Sequence, residues 1–220
     1  MYAKDIINEM ISTVSVNDSG VSVQSLMDEY KVEHLPVVDG TKYVGLISEQ
    51  DILSMEWPEK PIATIVSTIA HPYIQHAQHL LETLPIISNE KISLLPVLCD
   101  KGTYLGVIRL EDILYRLSNL LSADSPGGLI VLEMNVNNYT LAEISQIVES
   151  NNAKVLNLYV SSHPDSTQIF VTMKLNVTDI RAVIQTFNRY NYVVHSTFLE
   201  GENWQDLRDR YDYMMNFLNI

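Results

Sequence analysis

The stretch HLPVVDGTKYVGLISEQDIL, residues 34–53, is nearly repeated as LLPVLCDKGTYLGVIRLEDIL at residues 94–114. Three landmarks recur in the same order, a proline, a glycine and an aspartate: Pro36 and Pro96, Gly45 and Gly106, Asp51 and Asp112. The glycine and the aspartate lie six residues apart in both copies, whereas the proline-to-glycine spacing is one residue longer in the second copy, as a longer hairpin turn would make it. A period of about 60 residues exceeds that of typical solenoid repeats and predicts a duplicated half-domain.

Each copy contains the same succession of local signals. A short apolar run, a turn with glycine and a second apolar run predict a β-hairpin, and acidic residues then begin a helix. A strand and a helix precede each hairpin, at TVSV and SVQSLMDEYKV in the first copy and at PYIQ and HAQHLLETLPIISNEK in the second. We expect Pro85 to kink or end the second of these helices. The order β-α-β-β-α therefore occurs twice, and we assign residues 1–60 to the first repeat and 61–121 to the second.

The composition is that of an acidic globular protein. The formal net charge is −13, and 46% of the residues are hydrophobic. This charge argues against broad binding to nucleic acid or to an anionic membrane, because both require basic patches. The single cysteine, Cys99, excludes a disulfide within the chain, the acidic N-terminus is unlike a signal peptide, and no apolar run reaches the roughly 20 residues of a membrane span. We therefore expect a cytoplasmic protein.

The proline-bearing strand and the glycine-to-aspartate junction resemble those of the CBS domain, and two copies in tandem resemble a CBS pair, or Bateman module. The resemblance implies an α/β (α+β) fold of two packed repeats that binds an adenosine-containing ligand such as AMP, ADP or ATP. It implies a phosphate contact for Ser48 and a ribose contact for Asp51. The proline strand would lie against the adenine, and its implied residues are His34, Leu35, Pro36 and Val37 in the first cleft and Pro96 in the second.

The junction residues also have purely structural interpretations. Free N–H groups after Ser48 would suit a phosphate, but Ser48 and Asp51 are equally typical of a helix N-cap and its capping box. In the second copy Arg109 replaces the serine, and it would either reach a phosphate or pair with Glu111 or another acid. Asp112 keeps the position that the resemblance implies for ribose binding.

The second half of the chain follows a linker, SADSPGG. Its apolar runs and helical spacings predict the order β-α-β-β-α-β, the ferredoxin-like arrangement. At this size it resembles an ACT or ACT-like domain over residues 127–200, although the segment 135–140 lacks the glycine that amino-acid-binding ACT domains usually have there. At 201–220, apolar residues spaced three and four apart predict an amphipathic helix that packs on its own domain or a twin subunit, or docks another protein.

The sequence contains no motif typical of catalysis or metal binding. There is no Walker motif, glycine-rich phosphate loop or nucleophile elbow. His71, His76 and His79 have neither a cysteine nor a close acidic pair to complete a metal site. We therefore expect a regulatory ligand-sensing protein, not an enzyme, with no catalytic cofactor and no metal. We expect a homodimer, since CBS pairs commonly dimerise. The alternative is a ligand-free dimerisation and protein-interaction module of CBS and ACT-like domains.

Overall fold

The computed structural model describes residues 1–162 and 167–198. The chain divides into two compact units, Met1–Arg116 and Leu117–Ile220. The first unit contains both copies of the repeat, and the second contains the sheet expected after the linker. The helix predicted at 201–220 lies outside the described residues. Within the described ranges, no helix combines the length and the apolar character needed to cross a membrane.

The second repeat follows the predicted order, and the first repeat follows it except for the strand predicted before α1. The first repeat contains α1 (Gly20–Tyr30), β1 (His34–Asp39), β2 (Lys42–Ser48) and α2 (Glu49–Leu53). The second repeat contains β3 (Ile74–Gln75), α3 (Thr83–Glu90), β4 (Leu94–Leu98), β5 (Tyr104–Arg109) and α4 (Leu110–Leu120). Single turns of 3-10 helix lie at Ala3–Ile6, Ile62–Thr64 and Leu80–Glu82.

The two hairpins have the same register. β1 pairs antiparallel with β2, so that Leu35 lies opposite Ile47, and β4 pairs with β5, so that Leu95 lies opposite Ile108. All four of these side chains are 0% exposed. The apolar runs of the sequence are therefore buried strands, and their burial supplies much of the hydrophobic stabilisation of the unit.

Each hairpin pairs with one more extended segment, and the length of this pairing differs between the repeats. In the second repeat, β3 pairs parallel to β4. In the first repeat, the strand predicted at TVSV is only a parallel bridge between Val14 and Val37. The Val14 N–H donates to the Pro36 carbonyl at 2.9 Å, and the Val38 N–H donates to the Val14 carbonyl at 2.9 Å. The same contact is made in both repeats, but over a shorter length in the first.

A reciprocal crossing of the backbone joins the two repeats. The Leu46 N–H of β2 donates to the Ala70 carbonyl of the second repeat at 2.8 Å. The Asn8 N–H of the first repeat donates to the Val107 carbonyl of β5 at 2.7 Å, and the Val107 N–H donates back at 3.2 Å. Each hairpin therefore completes its hydrogen bonding with a segment of the other repeat.

The landmark glycines lie at this crossing, where the other repeat leaves no room for a side chain. A Cβ on Gly45 would lie 2.6 Å from the Ile69 side chain, which is itself buried. A Cβ on Gly106 would lie 2.5 Å from the Ile7 side chain and 3.1 Å from the Asn8 carbonyl oxygen. A close-packed interior cannot absorb such overlaps without shifting, so both hairpins require glycine where they cross.

Pro85 neither kinks nor ends its helix, and that expectation is wrong. α3 begins at Thr83 and continues to Glu90, so that Pro85 lies in its first turn. The first N–H groups of a helix have no carbonyl partner within the helix. A proline at this position therefore removes no helical hydrogen bond.

The second unit has the predicted order β-α-β-β-α-β, and the α+β fold class is confirmed. Its elements are β6 (Leu129–Asn135), α5 (Leu141–Ser150), β7 (Val155–Ser162), β8 (Gln168–Leu175), α6 (Arg181–Arg189) and β9 (Val193–Phe198), with a 3-10 turn at Val136–Asn138. The strands are antiparallel in the order β7-β8-β6-β9. The first strand of the unit therefore lies between its third and fourth strands, as the ferredoxin-like arrangement requires.

Alternate residues of the central strands form the core of this second unit. The buried positions of β6 and β8 recur with period two, as expected for a sheet with one covered face: Ile130, Leu132 and Met134, and Ile169, Val171, Met173 and Leu175. Phe187 of α6 is fully buried among them and meets the Tyr192 ring edge-on at 5.5 Å. The linker is tied to this sheet, because Lys174 Nζ donates to the Ala123 carbonyl at 3.0 Å.

The crossing makes Gly106 less replaceable than a turn glycine. Gly106→Ala is expected to lower the free energy of unfolding by about 1–3 kcal/mol more than Gly102→Ala, because its Cβ is overpacked against the other repeat. Both positions have positive φ, 144° and 77°, but nothing lies within 4 Å of a Cβ on Gly102. Urea midpoints followed by circular dichroism would measure the difference. Equal midpoints for the two variants would contradict the close approach at the crossing.

Candidate functional site

A cavity of about 590 Å³ lies beside the first hairpin and is called the first cleft here. It brings together three of the residues predicted for ligand binding, His34, Ser48 and Asp51. The complete lining is Glu33, His34, Leu46, Ser48, Glu49, Gln50, Asp51, Thr68, Ala70, Glu90, Lys91 and Ile92. A cavity of this size is within the range of small-molecule sites.

The proline strand contributes only its first residue to this lining. His34 is half-buried, whereas Leu35 and Val37 are 0% exposed and Pro36 is buried in the core. The strand therefore turns from cleft to interior directly after His34. The structure places the other three predicted residues of this strand behind the cleft wall.

Ser48 and Asp51 are hydrogen bonded to each other within the first cleft. The Ser48 N–H donates to Asp51 Oδ2 at 2.8 Å, and the Ser48 hydroxyl donates to the same oxygen at 2.6 Å. The Asp51 N–H donates to Ser48 Oγ at 3.1 Å, which completes the capping box of α2. These bonds all use Oδ2. No donor from residues 1–162 and 167–198 reaches Asp51 Oδ1, so this oxygen keeps its capacity to accept.

The backbone at the start of α2 is already largely engaged. The Glu49 N–H donates to the Glu33 carbonyl at 2.9 Å, and the Asp51 N–H is bound by Ser48. The free N–H groups expected for a phosphate are therefore mostly used within the chain.

His34 connects the first cleft to the second repeat. The Ser93 N–H donates to His34 Nδ1 at 3.3 Å, and the Ser93 hydroxyl oxygen lies 3.0 Å from the same nitrogen. Burial lowers the pKa of His34. The negative charges of Glu33 and Asp51 raise it, but by less than burial lowers it. The neutral ring fits this geometry, because Nδ1 can accept a backbone N–H only when it is unprotonated.

Five lining residues come from the second repeat, and sequence reasoning did not single them out. Thr68 and Ala70 lie at the crossing, and Glu90, Lys91 and Ile92 lie at the end of α3. A motif search within one copy cannot find them, because the other copy supplies them. The repeat itself was the only available clue to these residues, since two packed copies of one module must contact each other.

The first cleft has a negative lining. Its acidic and basic side chains are four carboxylates and one lysine: Glu33, Glu49, Asp51, Glu90 and Lys91. A carboxylate repels an approaching anion, and the lysine attracts it. The cleft therefore favours ligands of low negative charge.

Arg109 holds the matching aspartate of the second copy. Arg109 Nε donates to Asp112 Oδ2 at 2.8 Å, and Nη2 donates to Asp112 Oδ1 at 3.1 Å. Its Nη1 pairs with the Glu111 carboxylate. The hydrogen bonds to the Asp112 carboxylate raise the pKa of Arg109, so the guanidinium stays protonated. Of the two interpretations open to Arg109, the structure shows the pairing with acids.

The hairpin of the second copy also has a cavity beside it, of about 420 Å³. Its lining is Glu9, Ile11, Ser12, Thr13, Tyr104, Leu105 and Gly106. The predicted residues Arg109, Asp112 and Pro96 are not part of that lining, and Pro96 is buried within β4. The structure therefore does not bring these three residues together in this cavity.

The second unit contains a cavity of about 620 Å³ beside the glycine-free segment 135–140. Among residues 1–162 and 167–198, its lining includes Glu133 and Glu143 but no lysine or arginine. The Tyr192 hydroxyl donates to Glu143 at 2.7 Å, and burial together with this carboxylate raises the pKa of Tyr192. An amino acid would bring its own carboxylate to this acidic lining. The chemistry of the cavity therefore gives no support to amino-acid binding there.

The three histidines of the sequence prediction have separate surroundings. His79 caps a 3-10 turn by accepting the Leu81 N–H at 3.2 Å, and His76 Nδ1 lies 3.7 Å from Asp100. In the part of the chain that the structure describes, no three His, Cys, Asp or Glu side chains are grouped as a metal ion would require.

Just over half of the chain matches a family model described as CBS domain, over residues 3–57 and 62–119. The chain is 31% identical to an inosine-5'-monophosphate dehydrogenase of Korarchaeum cryptofilum over 133 residues, 59% of this chain and 27% of that enzyme. It is 28% identical to the same enzyme of Methanocaldococcus jannaschii over 131 residues, 59% of this chain and 26% of the enzyme. The chain thus spans about a quarter of these relatives, and the match runs through their CBS region.

Two solved structures align with the chain at low identity. A CBS domain pair/ACT domain protein from Thermotoga maritima aligns with a TM-score of 0.49 and 17% identity, covering 55% of this chain and 99% of that one. CBSX2 in complex with AMP aligns with a TM-score of 0.45 and 20% identity, covering 54% and 96%.

Replacing His34 with glutamine is expected to reduce the loss of stability on mild acidification. The folded-state pKa of His34 lies below its ordinary value of 6.5, so the unfolded chain binds more protons as the pH falls. The stability that depends on the neutral ring is present above that ordinary value and is lost as the pH falls through the folded-state pKa. Melting temperatures measured from about pH 7.5 to about pH 5 should therefore fall less in His34→Gln than in the wild type.

The exposed His71 offers a matched control for this measurement. His71→Gln makes the same substitution at an exposed position, so a change common to both variants does not come from the burial of His34. A His34→Gln profile that runs parallel to the wild-type profile would contradict the role given to the buried ring.

Proposed function

The chain belongs to the CBS-domain family, and we propose that it is a regulatory sensor whose CBS pair binds an adenosine-containing ligand and transmits its state to a partner. The ligand occupies the first cleft, whose volume is about 590 Å³. One observation carries the proposal: Asp51 lines this cleft beside Ser48 and His34, and no donor among residues 1–162 and 167–198 reaches its Oδ1.

Asp51 supplies the ribose contact. Ribose has two adjacent hydroxyls, and a carboxylate accepts hydrogen bonds from such a pair, as acidic residues do in dinucleotide-binding folds. Asp51 Oδ2 is engaged by Ser48, whereas Oδ1 is available to the ligand. Binding can therefore add to the capping box without breaking it.

The charge of the first cleft selects among adenosine ligands. Among the described residues, the lining has one lysine, Lys91, and four carboxylates. Each further phosphate adds negative charge near these carboxylates, and the repulsion grows with it. We therefore expect AMP to bind more tightly than ADP, and ADP more tightly than ATP.

The proposed role is regulatory rather than catalytic. The chain spans about a quarter of the dehydrogenases that it matches, and we propose no dehydrogenase activity for it. We place the sensor in the cytoplasm, where adenine nucleotides are abundant and the thiol of Cys99 stays reduced.

The second unit would carry the signal onward. We propose that it is an ACT-like domain that relays the state of the CBS pair or adds a second signal, and its ferredoxin-like strand order supports this. The helix predicted at 201–220, outside the described residues, is our candidate for contact with a protein partner.

We propose that the sensor is a homodimer joined through α2 and α4. Leu53 and Leu114 occupy equivalent positions in the two repeats and are 69% and 59% exposed. Trp57 and Tyr115 lie near them and are also exposed. Large apolar side chains at matching positions of a duplicated module form a surface that a second copy can bury.

Binding of AMP should appear as thermal stabilisation that depends on Asp51. At about 100 times its dissociation constant, AMP should stabilise the protein by roughly 2.7 kcal/mol. Asp51→Ala should remove most of this effect, because the ribose contact is lost. The same change also removes the carboxylate that accepts the Ser48 N–H and hydroxyl in the capping box, which costs about 1 kcal/mol without any ligand. Melting temperatures are therefore compared with and without AMP, ADP or ATP for each protein, and ATP should give the smallest shift.

Asp39→Ala provides the matched control, since Asp39 is exposed at the end of β1. This variant should keep the full AMP shift. If no adenine nucleotide stabilises the folded wild type, the sensor is disproved. The ligand-free dimerisation and interaction module would then be the better explanation.

Charge introduced on the proposed dimer surface should produce a monomer. The double variant Leu53→Glu/Leu114→Glu would bury unpaired carboxylates between the subunits, which is costly. Size-exclusion chromatography with light scattering would report the mass. Leu81→Glu, at a residue 51% exposed on a 3-10 turn, should remain a dimer. A monomeric wild type would rule the proposed dimer out.

A further inference from the structure

The two copies of the repeat treat their aspartates differently. Asp51 is held through Oδ2 alone, by Ser48. Both carboxylate oxygens of Asp112 accept hydrogen bonds from Arg109. We propose that Arg109 closes the ligand site of the second copy, so that the chain binds one adenosine ligand, and that removing this arginine alone opens a second site. The inference rests on the proposed function of the first cleft.

The backbone around the two aspartates is equivalent, so the difference lies in the side chains. The Glu49 N–H donates to the Glu33 carbonyl at 2.9 Å, and at the matching place the Leu110 N–H donates to the Ser93 carbonyl at 3.0 Å. Both helices begin directly after the strand that carries the landmark glycine. The second copy therefore presents Asp112 on an equivalent backbone, with arginine in place of serine, and neither residue lines the cavity of about 420 Å³ beside its hairpin.

Arg109 occupies both carboxylate oxygens of Asp112, which the hydroxyls of a ribose would need as acceptors. Its bonds to Asp112 are charge-assisted and bidentate, and such bonds are roughly twice as strong as those between neutral groups. A neutral hydroxyl pair would have to displace both of them. The side chains of Arg109 and Asp112 are each 31% exposed, so solvent screens the pair less than it screens a fully exposed one.

Arg109 is equally unsuited to hold a phosphate in this state. Its Nε and Nη2 are bound by Asp112, and its Nη1 is bound by Glu111. A phosphate would have to compete with two carboxylates that belong to the same helix turn. The guanidinium therefore balances local acids and is not a free anion site.

Counting the AMP molecules bound per chain tests the inference. Isothermal titration of the full chain should give one AMP for the wild type and two for Arg109→Ser. In the Arg109→Ser background, either Asp51→Ala or Asp112→Ala should leave one. Arg109→Gln removes the charge while keeping much of the side-chain length, and it should also open the second site. Arg116→Ser replaces another arginine of α4 and should leave the count at one.

The outcomes separate this inference from the function on which it rests. Two sites in the wild type would overturn it, as would one site in both folded Arg109 variants. If the wild type binds no AMP while Arg109→Ser binds one that Asp112→Ala removes, the first cleft fails and the closure by Arg109 stands. If no variant binds AMP, both proposals fail.

Discussion

The close approach of the two repeats at their crossing is the constraint on which the rest of the first unit depends. Gly45 and Gly106 allow the backbones to meet, because a side chain at either place would overlap the other repeat. Once they meet, Leu46 and Ala70 are hydrogen bonded, and residues at the end of α3 reach the first cleft. The cleft is therefore a product of the pairing. One repeat by itself has the strand and the capped helix, but it lacks half of the cleft wall.

Duplication also allows the two halves to differ without changing the framework. The hairpins share a register, and the helices after them begin in the same way. A serine in one copy and an arginine in the other are enough to give the two aspartates different surroundings. In the first copy the aspartate faces a cavity, and in the second it is the partner of a cation. An acidic protein with few bases uses one of them, Arg109, to neutralise acids of its own helix.

Much of the fold could be predicted because its signals are local. Glycine turns, apolar runs and acidic helix starts identified both hairpins, and spacing predicted the ferredoxin-like order. The errors arose where the effect of a residue depends on its place in the folded chain. Pro85 was predicted to break a helix, but a proline in the first turn of a helix removes no helical hydrogen bond. Lys91 was missed because it reaches the first cleft from the other repeat. The partner of Arg109 stayed open, because two acids lay within reach and sequence spacing does not give side-chain geometry. A site predicted from one repeat alone is incomplete wherever both repeats line the cleft.

Asp51 also has a structural role, since its carboxylate completes the capping box of α2, whose N-cap is Ser48. Loss of this aspartate would destabilise the fold even without a ligand. A destabilised protein is less abundant in the cell, because more of it is unfolded and degraded. Selection for folding alone would therefore retain it in a lineage that had stopped using the cleft. The presence of this aspartate in a related sequence is therefore weak evidence of ligand binding. A lining residue that caps no helix, such as His34, would be a better indicator of ligand binding in a related sequence.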